Sequence, residues 1–332
     1  MSIETIVASG ILFAGDLHLS SRAPSRRCDD YASAGLDKVR QLVEIANANQ
    51  FVLVLLGDVF HSPIERSEAL KTRLLRTLGD CWTTVLCNVG NHDKEGLRLS
   101  DADTLSVISE PGRPLRAMRE SGPAFEVAIG SQTVGLGFTP YGQEIPSDTR
   151  GMFPHAKCVL WATHHDIGFE GAYPGAVDPY PIPGCQLVLN GHMHIEKAEV
   201  NAGGTLWCNF GSTMRTAIDA LANEPCAWSF APGTGLTRHP LRVQHDVFDL
   251  TSRLVDEASP GEVVAAASTS VFVALLKAAR EEAQPYATAD GTLLHEALEA
   301  KLGEAAARPE VRAMVLDLHR RAVERRAAAA AT

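Results

Sequence analysis

The sequence has no excess of positive charge: 30 Lys+Arg stand against 40 Asp+Glu, a formal net charge of −10 over 332 residues. A chain that wraps nucleic acid by bulk charge alone is thereby excluded, which leaves a local basic groove as the route to such a partner. There is no apolar run long enough for a membrane span. The first, residues 11–14, lacks a basic flank and runs directly into Gly15 and Asp16, so neither a transmembrane helix nor a signal peptide is expected, and the expected location is cytoplasmic. The seven cysteines (Cys28, Cys81, Cys87, Cys158, Cys185, Cys208, Cys226) contain no CxxC pair, are odd in number and partly sit inside apolar runs. They read as buried reduced thiols rather than disulfides or a thiolate metal site. Neither an internal repeat nor a heptad run is evident. What is present, 45% hydrophobic and 21% charged residues, suffices for a folded chain with a sizeable core.

Up to about Gly211, short apolar runs alternate with helical patterns, the signature of an α/β layered domain. Residues 11–14, 52–56, 84–89, 158–163 and 186–190 read as buried strands. Leu36, Val39, Leu42, Val43 and Ile45 recur at helical spacing, with Lys38, Arg40 and Glu44 outward. A second helix is predicted over 64–78, and a β-hairpin over 125–129 and 133–138 around Gly130-Ser131-Gln132. Residues 168–184, rich in Gly and Pro, read as a long irregular loop of the kind that often carries function. Residues 227–230 and 241–250 are predicted to add strands to the sheet, and 260–326 to be helical. The expected organisation is a catalytic domain over 1–215, capping strands over 216–252 and a helical C-terminal region over 253–332, whose last six residues fray.

Five polar clusters follow predicted strands: Asp16-Leu17-His18, Gly57-Asp58-Val59-Phe60-His61, Gly90-Asn91-His92-Asp93, Thr163-His164-His165-Asp166 and Gly191-His192-Met193-His194. In open α/β sheets ligands gather at the carboxyl edge of the strands, so side chains distant in sequence converge there. Singly the motifs differ in weight. Asp-x-His recurs at Asp317-Leu318-His319 inside an amphipathic pattern, where a solvated face is the plainer reading. Gly-His-x-His is more specific, since 27 Gly and 12 His in 332 residues give only about 0.03 chance matches. Gly57-Asp58 alone is a common turn dipeptide, and in Gly90-Asp93 either Asn91 or Asp93 could simply cap the next segment. Together, in this order, they point to a site.

Two aspartates, an asparagine carbonyl and four imidazoles without a thiolate suit borderline or hard divalent ions. Seven ligands are too many for one ion. A pair sharing one carboxylate, with Asp58 the natural bridge, is the usual device for phosphoryl transfer, with ions about 3.5–4 Å apart and a metal-bound hydroxide attacking phosphorus in line.

On these residues the chain resembles the calcineurin-like metallophosphoesterase superfamily, whose motif order D-x-H, G-D-x-x-D/H, G-N-H-D/E, H and G-H-x-H is matched from Asp16 to His194. The resemblance implies an α/β (α+β) sandwich in four layers, mixed β-sheets flanked by helices, with a C-terminal helical region added. It implies one metal on Asp16, His18, Asp58 and His194 and a second on Asp58, Asn91, His164 and His192, with manganese first and iron, zinc or magnesium as the other candidates. His92 would be the uncoordinated imidazole that stabilises the pentacoordinate phosphorus and protonates the leaving oxygen. His164 is chosen over His165 because it comes first after the strand.

Within the superfamily the chain is similar to the SbcD-type nuclease subunit that processes double-strand DNA breaks, particularly its short phage-like members. The residues concerned are Gly57-Asp58-Val59-Phe60-His61-Ser62-Pro63, Gly90-Asn91-His92-Asp93 and Asn209-Phe210-Gly211-Ser212. Where many other members carry an aspartate that orients the catalytic imidazole, this chain has His61, as similar nucleases do. His61 thus joins His92 as a catalytic candidate, and the partner of His92 stays open. The likeness implies DNA as substrate, an SbcC-type ABC ATPase with a coiled coil as partner, a homodimer, and no membrane. Helices past Pro260, with Lys301, Arg308, Arg312, Arg320, Arg321, Arg325 and Arg326 outward, would suit docking to that ATPase, or form a plain solvated face. Two other readings stand beside the nuclease. One is a small-molecule phosphodiesterase or phosphatase acting on cyclic nucleotides or nucleotide anhydrides, for which residues 168–184 would be a lid. The other is a non-catalytic scaffold, which would need no free imidazole such as His92.

Overall fold

The computed structural model describes residues 3–169, 176–217, 220–245 and 247–249, with the backbone alone at 198 and 199. In chain order the first elements are β1 (Glu4–Ala8), β2 (Gly10–Ala14), α1 (Tyr31–Asn49), β3 (Phe51–Leu55), α2 (Glu68–Gly79), β4 (Val85–Cys87), α3 (Thr104–Ile108) and β5 (Leu115–Ala117). Then come β6 (Gly122–Ile129), β7 (Gln132–Thr139), β8 (Cys158–Thr163), β9 (Leu187–Asn190), β10 (Lys197–Ala202), β11 (Thr205–Asn209), β12 (Cys226–Ala231) and β13 (Gly235–Pro240). They form two mixed sheets. One runs β13-β12-β2-β3-β4-β5, with β2 to β5 parallel, and the other runs β1-β6-β7-β8-β9-β11-β10, with β7, β8, β9 and β11 parallel.

The strict alternation of side chains along a strand explains why these strands read as unbroken apolar runs. Along β2, Ile11 and Phe13 face the second sheet and join Val127, Leu136, Leu160 and Leu189 in one core. Leu12 and Ala14 face the helices and pack with Leu36, Val39 and Leu42 of α1 and Leu70, Leu74 and Leu78 of α2. Both faces are dry, so truncating a residue such as Leu53 to Ala would cost about 2–5 kcal/mol. The outer face of the second sheet is covered by Phe153, Ile167, Phe169 and Ile182 from loops, packed around Trp161 and Trp207. This is the expected α/β sandwich, with α1 to α3 on one side and irregular chain on the other among the described residues.

Some boundaries differ from those predicted. The helix predicted over 64–78 starts at Glu68, because the Glu65 carboxylate accepts from the Ser21 amide, the Ser21 hydroxyl and the Ser67 amide, while Ser67 Oγ caps the helix by accepting from Leu70 N–H. Among the described residues the strand predicted over 241–250 does not form: Leu241 N–H donates to the Pro225 carbonyl and Arg242 N–H to Gln41 Oε1, and Phe248 keeps only an isolated bridge to Arg27. The hairpin is longer than predicted and turns through Gly130 and Ser131 alone, since Ile129 pairs with Gln132. Predicted residues 227–230 lie in β12, antiparallel to β2. The irregular loop is irregular where described, with one bridge between Ile167 and Val177. Strands β1, β5, β10, β11 and β13 were not expected. No described helix is long and apolar enough to cross a membrane. The helices predicted after Pro260, with Asp317, His319 and the basic residues named above, lie outside the described residues.

Candidate metal centre

Every cluster singled out in the sequence leaves the C-terminal end of a strand: Asp16 and His18 after β2, Asp58 and His61 after β3, Asn91 and His92 after β4, His164 after β8, and His192 and His194 after β9. The two parallel strand groups end on a common rim. The turns there are sharp, with left-handed backbone at Asp16 (φ 51), His18 (φ 44), Asp58 (φ 51) and His192 (φ 77). Such conformations cost about 1–3 kcal/mol each and persist where surrounding bonds over-determine them. Close approach fixes the glycines that open two of the motifs. A Cβ at Gly57 would lie 2.5 Å from His164 Nδ1, and one at Gly90 would lie 2.0 Å from Asp58 Oδ1.

Two of the groups that the gathered side chains form include carboxylates, Asp16 with His18 and His194, and Asp58 with His164 and His192, the candidate ligand atoms of each within 4.8 Å of one another. Asp58 stands between them: its Oδ2 is 3.6 Å from His18 Nε2 and 3.3 Å from His164 Nε2. Asn91 Oδ1 lies 2.9 Å from His192 Nδ1 and 3.2 Å from His164 Nε2. Both carboxylates are aimed in the same way. Oδ1 of Asp16 accepts from His192 N–H at 3.0 Å and Oδ1 of Asp58 from His92 N–H at 2.9 Å, which turns each Oδ2 toward the imidazoles.

The donor set fits a pair of divalent cations. Asp16 Oδ2 is buried without a hydrogen-bond partner, a costly state for a carboxylate oxygen. Nε2 of His18 faces Nε2 of His194 at 2.9 Å, a contact that needs a shared proton or a cation. The charge balance tells the same story. Burial pushes the Asp16 carboxyl up to about 7, and burial pushes the His18 imidazole well down. At Asp58 the upward push of burial is outweighed by the His164 and His18 imidazoles, which hold the carboxyl far below its usual range. Against the downward push of burial, Asp58 holds the His164 imidazole up to about 9, so one imidazolium stands among the buried carboxylates, and a dication would supply the positive charge still missing.

The model of the calcineurin-like phosphoesterase family matches residues 10–196. The chain belongs to this family. It is a metal-dependent phosphoesterase. None of the curated proteins matches it. Among solved structures, it is similar to a 5'-nucleotidase precursor from Thermus thermophilus at 11% identity and a TM-score of 0.39, covering 77% of this chain and 59% of that one. A hypothetical protein from the same organism has 12% identity and a TM-score of 0.38, covering 70% of this chain and 98% of the other.

Around the centre of this phosphoesterase, the structure places His92 edge-on to His18, ring centroids 4.8 Å apart. His92 Nδ1 lies 2.8 Å from the carbonyl oxygen of His61, so Nδ1 carries a proton and donates it there. The partner left open by the sequence is therefore a backbone carbonyl. The His61 ring stacks on His92 at 5.6 Å, and His18, His61 and His92 form a third group as tight as the other two. His165, by contrast, turns away: its Nε2 contacts the Gln143 carbonyl at 2.9 Å and burial pushes it down to about 4.

Three residues around the centre were not among the candidates. The Asp93 carboxylate accepts from the N–H groups of Asp58, Val59, Phe60 and Gly90 at 2.8, 2.9, 3.2 and 2.9 Å, and so clamps the Asp58 turn to the Asn91 turn. Its position at the end of the Gly-Asn-His-Asp motif was the available signal. Asp166 Oδ1 sits 3.0 Å from His192 Nε2, a carboxylate placed to orient that imidazole. Tyr141, just past β7, lays its ring 5.3 Å from His192, 6.0 Å from His165 and 6.3 Å from His164. Behind the rim, Ser212 Oγ donates to the Asp16 carbonyl and Thr213 Oγ1 to the Gly15 carbonyl, each at 2.9 Å.

Proposed function

We propose that this phosphoesterase is a DNA nuclease, cleaving phosphodiester bonds exonucleolytically or endonucleolytically at DNA ends. The observation that carries the reading is His61 stacked on His92, at the position where similar nucleases have histidine and many other family members an aspartate. Asn209 supports the same reading. Its Oδ1 accepts from Asn190 Nδ2 at 3.0 Å and its own amide reaches the Ile195 carbonyl at 3.0 Å, so the Asn209-Phe210-Gly211-Ser212 run braces the Gly-His-x-His turn.

In this reading Asp16, His18, Asp58 and His194 would hold one divalent cation and Asp58, Asn91, His164 and His192 the second, manganese first. Once bound, such a pair neutralises phosphate oxygens and acidifies water. The chain's own groups do the rest. His92 keeps Nδ1–H on the His61 carbonyl, which leaves Nε2 as the nitrogen that must first take up a second proton and then deliver it to the departing oxygen. Asp166 holds the orientation of His192, and Asp93 fixes the distance between the Asp58 and Asn91 turns. An SbcC-type ATPase and a second copy of the chain are the partners proposed with this activity.

A small-molecule phosphodiesterase or phosphatase is the second reading, favoured by the net charge of −10, which repels polyanionic DNA except at a local basic patch. Manganese-dependent release of nucleotides from linear duplex and single-stranded DNA, measured beside hydrolysis of bis-p-nitrophenyl phosphate, separates the two. DNA left intact while the small ester turns over would reject the nuclease.

A further inference from the structure

Behind the Asp16 to His18 turn, away from the metal ligands, lies a small, partly open cavity lined by Arg27, Lys38, Arg215 and Arg242, with Asp37 and Met214. Three of these cations are more than nine-tenths buried: Arg27 is 9%, Arg215 8% and Lys38 7% exposed. Buried charge is expensive unless paired, yet the pairing here is lopsided. Arg27 has a bidentate partner in Asp29, with Nε and Nη2 at 2.7 and 2.6 Å from its two oxygens. Arg242 reaches Asp37 at 3.6 Å and Glu44 at 3.8 Å, and Asp37 is shared with Arg40 at 2.9 Å. Among the described residues, Lys38 and Arg215 have no carboxylate within ion-pair distance. The Lys38 ammonium meets the Arg242 carbonyl, and the Arg215 guanidinium meets the Leu221 and Gln244 carbonyls. Among the described residues, two of the four cations around the cavity therefore face it without a carboxylate of their own.

We propose that this cavity is a binding site for a free tetrahedral oxyanion of the inorganic phosphate class, held by Lys38, Arg215 and Arg242. Guanidinium forks match tetrahedral oxyanions in geometry, and a doubly charged anion would balance the two cations that have no carboxylate among the described residues. Burial, with Arg215 and Arg242 nearby and Asp37 opposing, holds the Lys38 ammonium down to about 8, the direction expected for a cation awaiting a counter-ion. The site is joined to the catalytic rim from behind. Arg27 lies over the Tyr31 ring at 4.9 Å, and Tyr31 donates its hydroxyl to the His18 carbonyl at 3.0 Å. Arg215 follows directly on the Ser212 to Met214 segment that braces Asp16. An anion seated here would stiffen the back of the turn that carries two of the proposed metal ligands. Such a site works in the same way whichever phosphoester is hydrolysed.

The test is thermal unfolding of the full-length, chelator-treated protein in phosphate, in sulfate, in chloride at matched ionic strength, and with a short oligonucleotide lacking terminal phosphates. Phosphate at about ten times its dissociation constant should raise the midpoint by about 2–3 °C over chloride. Sulfate, the same shape with the same charge, should do likewise. The shift should vanish in Lys38→Met, with Arg215→Met as a second variant and Lys38→Arg retaining part of it. Equal midpoints in phosphate and chloride, or a phosphate shift that survives Lys38→Met, would overturn the proposal. A shift from the oligonucleotide but not from phosphate would overturn the assignment to a free anion.

Discussion

Two polar regions lie on opposite sides of the turn through Asp16, Leu17 and His18, and they solve burial of charge in opposite ways. On the rim, two buried carboxylates stand among imidazoles, of which burial keeps His18 from protonating, and Asp16 Oδ2 has no partner. On the far side, Lys38 and Arg215 are buried with carbonyl oxygens for company. The first region is short of positive charge, the second of negative charge. The fold thus does not neutralise itself: it leaves the rim to a cation and, by the proposal above, the rear cavity to an anion.

The balance on the rim is most exposed at Asp58, which stands between the two groups of candidate ligands and is proposed to bridge the two cations. Asp58→Asn should lose bound metal and lower turnover by at least about a thousandfold, read by elemental analysis and bis-p-nitrophenyl phosphate hydrolysis. His92→Ala should leave metal content unchanged and still lower turnover by about 10²–10⁴-fold, because it removes a proton donor and no ligand. Turnover left intact in that variant would remove His92 from the chemistry. Asp166→Asn is milder. It weakens the orientation of His192 and should cost about 10–100-fold in metal affinity, measured by competition with a chromophoric chelator.

The smallest effect belongs to the rear cavity. The folded state depresses Lys38 to about 8 from its ordinary 10.5, burial being the main cause, so folding prefers the neutral amine. Between those values the unfolded chain keeps a proton that the folded chain has released, and stability therefore rises with pH across the window and is lost again as pH falls toward 8. Urea midpoints of metal-free protein across this range should show the slope in wild type and a flatter one in Lys38→Met. An identical slope in both would mean that Lys38 does not titrate as its surroundings require.

What could be read from the sequence follows from where each signal resides. The strands at the centre of the sheets announce themselves because both faces are dry, as in Ile11 to Ala14 and Val52 to Leu56. Edge strands do not: β13 mixes half-buried and exposed residues, with Arg238 and His239 near its end, and β5 carries an exposed Arg116. The predicted strand over 241–250 shows the converse error, apolar residues whose backbone bonds go to a side chain and a lone carbonyl instead of a ladder. The rim was legible because its ligand types are rare and sit at strand ends. Asp93, Asp166 and Tyr141 were not, because their roles rest on backbone amides and rings brought in from other turns. The cationic cavity was equally invisible, since Arg27, Lys38, Arg215 and Arg242 share no local pattern.

A dinuclear centre bridged by Asp58 is tested most directly by the metal content of full-length protein stripped with chelator, reconstituted with manganese and freed of excess ion. Two ions per chain in wild type and in His92→Ala, falling below one in Asp58→Asn, is the expected result; one ion or none in wild type would contradict the account.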